Sequence, residues 1–110
     1  MIYSLLILAV AAPPTPSSDF VALSNVKAGM LAEMCRADTP AVQLDPCNSF
    51  IMGATDGLQV GRKVCIADTS GYSYVAVGVV RQYLADNPQE WGKPAAIVVW
   101  QALRLKFPCP

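Results

Sequence analysis

The side chains best suited to chemistry in this chain are its four cysteines, Cys35, Cys47, Cys65 and Cys109. A thiolate can hold a metal, attack an electrophile, or pair with another as a disulfide. Structural zinc sites draw their cysteines from closely spaced pairs, and no Cys-x-x-Cys occurs here. A cysteine nucleophile needs a base to activate it, most often histidine. The chain contains no histidine at all, which removes the commonest general base and the commonest zinc ligand together. The remaining use is a disulfide framework, the expected role of an even number of cysteines in a short exported chain. No metal and no cofactor is expected.

The carboxylates offer no stronger catalytic reading. Asp19, Glu33, Asp38, Asp45, Asp56, Asp68, Asp86 and Glu90 are scattered among caps, loops and one helix, and nothing singles out an acid–base pair of the glycosidase kind. Lysine and arginine together number eight against eight acidic residues, so the formal net charge is zero, and charged residues make up 15% of the chain. A nucleic-acid binder would show a clustered basic excess. The expectation is a binding protein rather than an enzyme. Three residues are candidates for contact with a partner. Trp91 sits in a polar loop beside Gly92, off any apolar stripe, where an exposed aromatic can anchor an interface. Arg62 and Lys63 form a basic pair that could face an acidic partner. Each has a plainer reading, with Trp91 packed onto the core and the basic pair a solvated loop. Asp56-Gly57 reads as a helix end with a turn. Phe50, Tyr72, Tyr74 and Tyr83 read as core or half-buried, and Trp100 as core.

These residues need elements to position them. At 110 residues there is room for one domain. Ile2 to Val10 is an apolar run too short to span a bilayer. The Pro/Ser-rich stretch from Pro13 to Ser18 follows it, and Ala9 and Ala11 supply a small-x-small cleavage pattern. No Lys or Arg precedes the run. The division expected is a signal peptide over 1–11, a linker over 12–18 and a helical domain over 19–110, with no stable membrane insertion after cleavage.

Four segments of that domain carry helical periodicity. The first spans about Asp19 to Arg36, capped by Ser18 or Asp19, with Phe20, Leu23, Met30 and Met34 close to one face and Val26, Leu31 and Cys35 beside them. The second opens on Asp45-Pro46, an N-cap followed by a proline at the first helical position. It carries Cys47, Phe50, Ile51, Ala54 and Leu58 inward and ends near Gly57. Asp68, Thr69 and Ser70 offer caps for the third. Its Tyr72, Val75, Ala76, Val79, Val80, Tyr83 and Leu84 recur at helical spacing until Asn87-Pro88 stops it. The valines also suggest a strand, but Val79 and Val80 are adjacent and Gly78 breaks the alternation. Pro94 starts the fourth, with Ala96, Val99, Trp100, Leu103 and Phe107 as its stripe and Arg104 and Lys106 near the negative end of its dipole. Pro108 ends it.

Four one-faced helices with short or moderate connections imply an all-α fold, a compact antiparallel bundle. Four cysteines allow three pairings. Cys35 closes the first helix and Cys47 opens the second, while Cys65 precedes the third and Cys109 follows the fourth. Antiparallel neighbours therefore select Cys35–Cys47 and Cys65–Cys109.

The ordered landmarks resemble the Rap/Tai family of small periplasmic immunity proteins. Cys47 is followed by Phe50, Gly53, Asp56 and Gly57. Cys65-Ile66 precedes Thr69, and the next helix ends in Tyr83-Leu84 before Asn87-Pro88. Ala95 and Ala102-Leu103 lead into Phe107-Pro108-Cys109. Ala67 stands where the family pattern has proline, and Tyr72-Ser73 where it has an early glutamine. The resemblance covers roughly three quarters of the chain. It implies a periplasmic protein whose partner is a secreted peptidoglycan amidase, an effector of a bacterial type VI secretion system, which it binds and inhibits; a homodimer is compatible with it. The alternative is an interaction or structural module of the same fold with no toxin partner.

Overall fold

The computed structural model describes residues 3–5, 9, 23–37, 40, 45–67 and 72–110, the side chains of Tyr72 and Ser73 excepted. The linker and the caps expected at Ser18, Asp19, Asp68, Thr69 and Ser70 lie outside these residues, as does most of the expected signal peptide. Among the described residues there are four α-helices: α1 Ala28–Met34, α2 Pro46–Val60, α3 Tyr72–Asp86 and α4 Ala95–Lys106. A short 3-10 turn, Pro88–Glu90, links the last two.

α1 is far shorter than its apolar pattern suggests. Residues 23–26 are not helical, and Lys27 pairs with Pro94 in an isolated antiparallel bridge. The bridge explains the late start. The Ala28 N–H donates to the Lys93 carbonyl and the Gly29 N–H to the Trp91 carbonyl, each at 2.9 Å, while Ala95 N–H donates to the Val26 carbonyl at 2.8 Å. The segment around Trp91 and Lys93 thus takes the orphan donors of α1 in place of a capping side chain, and the residues before α1 cap α4 in return. Gly29 permits the approach, since a Cβ there would lie 3.3 Å from the Trp91 Cβ and 3.4 Å from its carbonyl oxygen. Seven residues do not make a stable helix alone, so α1 depends on these tertiary bonds. The inward face is shifted from the expected stripe toward its edge, where Leu31 lies. Ala28, Leu31 and Ala32 are buried, while Met30 and Leu23 are exposed.

α2 starts as its sequence dictates. Asp45 accepts from the Asn48 N–H at 2.7 Å and Pro46 occupies the first helical position. Its end lies further on than Gly57, which sits inside the helix; the helix runs to Val60 and Gly61 caps it. The Lys63 N–H donates to the Leu58 carbonyl at 2.8 Å and Arg62 N–H to the Gln59 carbonyl at 3.0 Å. This is the paired terminator that usually places glycine in the left-handed position. Here Arg62 holds it, with φ 53°.

α3 is helical through its valines. Ala76, Val77, Val80 and Leu84 are buried, whereas Val75 is exposed and Val79 and Tyr83 are half-buried. The core face is therefore rotated from the stripe expected. Tyr74, expected inside or at the edge, is 53% exposed. In α4 the buried set is Ala95, Val98, Val99, Ala102 and Leu103, and Trp100 stands at the rim rather than in the core. These side chains, with Leu31, Cys47, Ile51 and Val64, form a single core drawn from all four helices.

Two disulfides tie the ends together. Cys35 is bonded to Cys47, with Cα atoms 4.9 Å apart, and Cys65 to Cys109, at 4.8 Å. The first joins the end of α1 to the first turn of α2. The second holds the segment after α2 to the tail beyond α4, where the Cys65 N–H also donates to the Phe107 carbonyl at 2.9 Å.

Candidate functional site

All four sulfurs are engaged in disulfides, so no thiolate is available as nucleophile or ligand. What the frame presents to a partner is surface, and three cavities lined by described residues lie on it.

Trp91 lines the first, with Ala32, Cys35, Arg36, Arg81 and Ala85 among its neighbours, in a space of about 510 Å³. The indole is partly fixed. Its Nε1–H donates to the Leu84 carbonyl at 2.9 Å, and 38% of the residue is exposed. Trp91 therefore fastens the turn before α4 onto α3 and still offers a ring edge outward. Beside it, Arg36 pairs with Glu33 at 3.2 Å in solvent. Arg81 reaches inward from α3, where its guanidinium donates to the Asn48 Oδ1 at 3.0 Å and the Ala37 carbonyl at 3.2 Å. Asn48 is fully buried in the first turn of α2, and its amide also donates to the Pro40 carbonyl at 3.0 Å. This Arg81–Asn48 link braces the loop closed by Cys35–Cys47. Sequence reasoning missed it, because the partners are 33 residues apart and neither residue type carries a local signal for the pairing.

Lys63 lines a different pocket, of about 340 Å³, between the end of α2 and the outer face of α4. Leu23, Leu58, Ala96, Ile97 and Trp100 complete its walls. The Arg104 guanidinium lies over the Trp100 ring at 4.5 Å from its centroid, a cation–π contact. Arg62 is exposed beside Lys63 in sequence and lines none of the three cavities. Trp91 and the basic pair, the sequence candidates, are thus not gathered at one site. The third cavity, about 470 Å³, runs between α3 and α4 past Gly78, Val79, Tyr83 and Leu105, with Asp86 and Lys106 both on its lining.

A helical domain laced by these two bridges carries the landmarks of a specific family, and the comparison with family models decides the matter. The model of the Rap1a immunity proteins matches residues 27–109. The chain belongs to the Rap1a immunity protein family. The Rap1a match opens at Lys27, the residue that bridges to Pro94, and closes at Cys109, the last disulfide cysteine. It therefore covers the whole cross-linked helical frame. No curated protein and no solved structure gives a significant match. Membership in the Rap1a family assigns an immunity role, with a protein effector as partner. Its disulfides are consistent with an exported protein. No helix among the described residues is long and apolar enough to cross a membrane.

Proposed function

We propose that this protein acts in the periplasm, where it binds a cognate peptidoglycan amidase effector of a type VI secretion system and blocks its active site. The observation that carries the reading is the extent of the family match, which takes in all four helices and all four cysteines. The disulfides support export, since they persist in oxidising compartments and are rare in the cytosol. The apolar run Ile2 to Val10 and the small residues Ala9 and Ala11 supply the export route as a cleaved signal. The mode of action is occlusion. A rigid, pre-organised surface loses little entropy on docking and so suits a tight stoichiometric inhibitor.

The test is protection in living cells. An amidase encoded beside this protein is exported to the periplasm of a sensitive bacterium, with the protein co-expressed either with or without residues 1–18. Full-length protein is expected to prevent lysis, and the form lacking residues 1–18 to leave it unchanged. Lysis in the presence of exported, oxidised protein would refute the proposal. So would binding to an envelope protein that is no hydrolase in place of the amidase.

A further inference from the structure

The two cysteines of the shorter bridge are placed very differently. Cys47 is fully buried in the first turn of α2, a helix of fifteen residues. Cys35, at the end of α1, is partly exposed and lines the cavity of about 510 Å³ at Trp91. A disulfide is opened by a thiolate that attacks one of its sulfurs and expels the other, so access decides which sulfur is attacked and thiolate stability decides which leaves well. Both criteria choose the same direction here. Only Cys35 borders a space that an outside thiol can enter. Cys47 lies at the positive end of the α2 dipole, where a thiolate is favoured. The side-chain charges nearby balance, since Arg36 is paired with Glu33 and Arg81 with Asp45. The longer bridge lacks this asymmetry. Cys65 and Cys109 are both partly exposed, and Cys109 lies just past the negative end of α4, with Arg104 and Lys106 in the last turn of that helix.

We propose that Cys35–Cys47 is an exchangeable disulfide that a dithiol opens from the Trp91 cavity, with Cys35 as the sulfur attacked and Cys47 as the thiolate released. In the first step the incoming thiolate bonds to the Cys35 Sγ, the Cys35–Cys47 bond breaks, and its electron pair leaves on the Cys47 Sγ. In the second step the other thiol of the same dithiol, as its thiolate, attacks the incoming sulfur and releases Cys35. The dithiol becomes a disulfide, the bridge gains two electrons, and the two cysteines take up the two protons that the dithiol gave up. Oxidation runs the same path backwards. Opening the bridge unclips the end of α1 from α2. The seven residues of α1 are too few to hold a helix unaided, and Ala32, Glu33, Cys35 and Arg36 form one wall of the cavity. The surface at Trp91 thus changes with the state of this bridge, while Cys65–Cys109 keeps the rest of the frame closed. The exchange does not depend on which effector the protein binds.

The experiment treats folded, oxidised protein with an excess of 2-mercaptoethanol, stops the reaction with acid and maps the mixed disulfides by peptide mass spectrometry. The adduct is expected on Cys35 with Cys47 as a free thiol, in excess of the reverse by about tenfold or more. The second variable is the cavity itself. Ala85 is exposed and lines it, so Ala85→Phe, checked for folding by circular dichroism, narrows the entrance without touching either cysteine. Ala85→Phe is expected to slow the opening of Cys35–Cys47 by dithiothreitol by about tenfold and to leave the rate at Cys65–Cys109 unchanged. Adducts on Cys47 as often as on Cys35, or at Cys65 and Cys109 alone, overturn the proposal. So does an unchanged opening rate in folded Ala85→Phe. Opening of both bridges together, at one rate, places the exchange in the globally unfolded chain and overturns it as well.

Discussion

Arg62 holds a left-handed backbone, φ 53°, at a position that most helices give to glycine. An L-residue with a Cβ is disfavoured there by roughly 1–2 kcal/mol, and glycine removes that cost while gaining unfolded-state entropy. Arg62→Gly is therefore expected to raise stability by up to about 1 kcal/mol, read as a higher urea midpoint with an unchanged slope. A lower midpoint would mean that the Arg62 side chain stabilises the fold in a way the geometry does not show. Asp45 is the opposite case, a residue whose role is local and therefore legible. Its carboxylate caps α2 at 2.7 Å from the Asn48 N–H and also lies 3.8 Å from the Arg81 guanidinium. Asp45→Ala should cost about 1–2 kcal/mol, whereas Asp45→Asn should recover most of the cap. The end of α2 was misread for a reason of the same scale. Gly57 and Gly61 both look like terminators, and the one that ends the helix is decided by the bonds from Arg62 and Lys63 back to Gln59 and Leu58.

At the scale of elements, the existence of four helices was legible because apolar spacing and the prolines that flank the helices agree, with a capping side chain added at α2. Which face each turns inward was not, for α3 and α4. Both are apolar on most sides: YSYVAVGVV opens α3 and AAIVVW opens α4. Periodicity cannot choose a face where nearly every face qualifies, and the geometry of the neighbouring helices chooses instead. That is why Val75 and Trp100 lie outward of the line while Val77, Val98 and Ala102 lie within it. The consequence is measurable along one turn of α4. Leu103 is fully buried and Leu105 is 70% exposed. Leu103→Ala should cost about 2–5 kcal/mol through lost transfer energy and an uncollapsed cavity, while Leu105→Ala should stay within about 0.5 kcal/mol of the parent. Equal losses at the two positions would show that the face is assigned wrongly. The late start of α1 was illegible for a different reason. It follows from backbone bonds to Trp91 and Lys93, far along the chain, and no side-chain pattern announces such a bond.

For the molecule as a whole, the two bridges set how much of the frame survives stress. Cys35–Cys47 spans 12 residues and Cys65–Cys109 spans 44. Loop-closure entropy assigns about 3 kcal/mol to the first and about 4 kcal/mol to the second. Replacing both cysteines of the longer bridge by serine should therefore lower stability by about 1 kcal/mol more than the same change at the shorter one. Denaturant titration of the two double variants checks the order, and a reversed order would show that contacts around the Cys47 site outweigh chain entropy. The cysteine count and the helix ends made the bridging legible. The Lys63–Trp100 pocket was legible only in part. Lys63 stood out as a loop cation, while its neighbours come from α2, α4 and the segment before α1 and meet only in three dimensions. The family match places this frame among immunity proteins, and the proposed function then requires that the frame stop an enzyme. The most direct measurement titrates oxidised protein into the amidase proposed as its effector, acting on purified peptidoglycan, following peptide release. Hydrolysis is expected to fall in proportion to added protein and to stop at equal molar amounts, and reduction of the disulfides is expected to relieve the block. Hydrolysis that continues at its full rate beside an excess of folded, oxidised protein would contradict the proposed function.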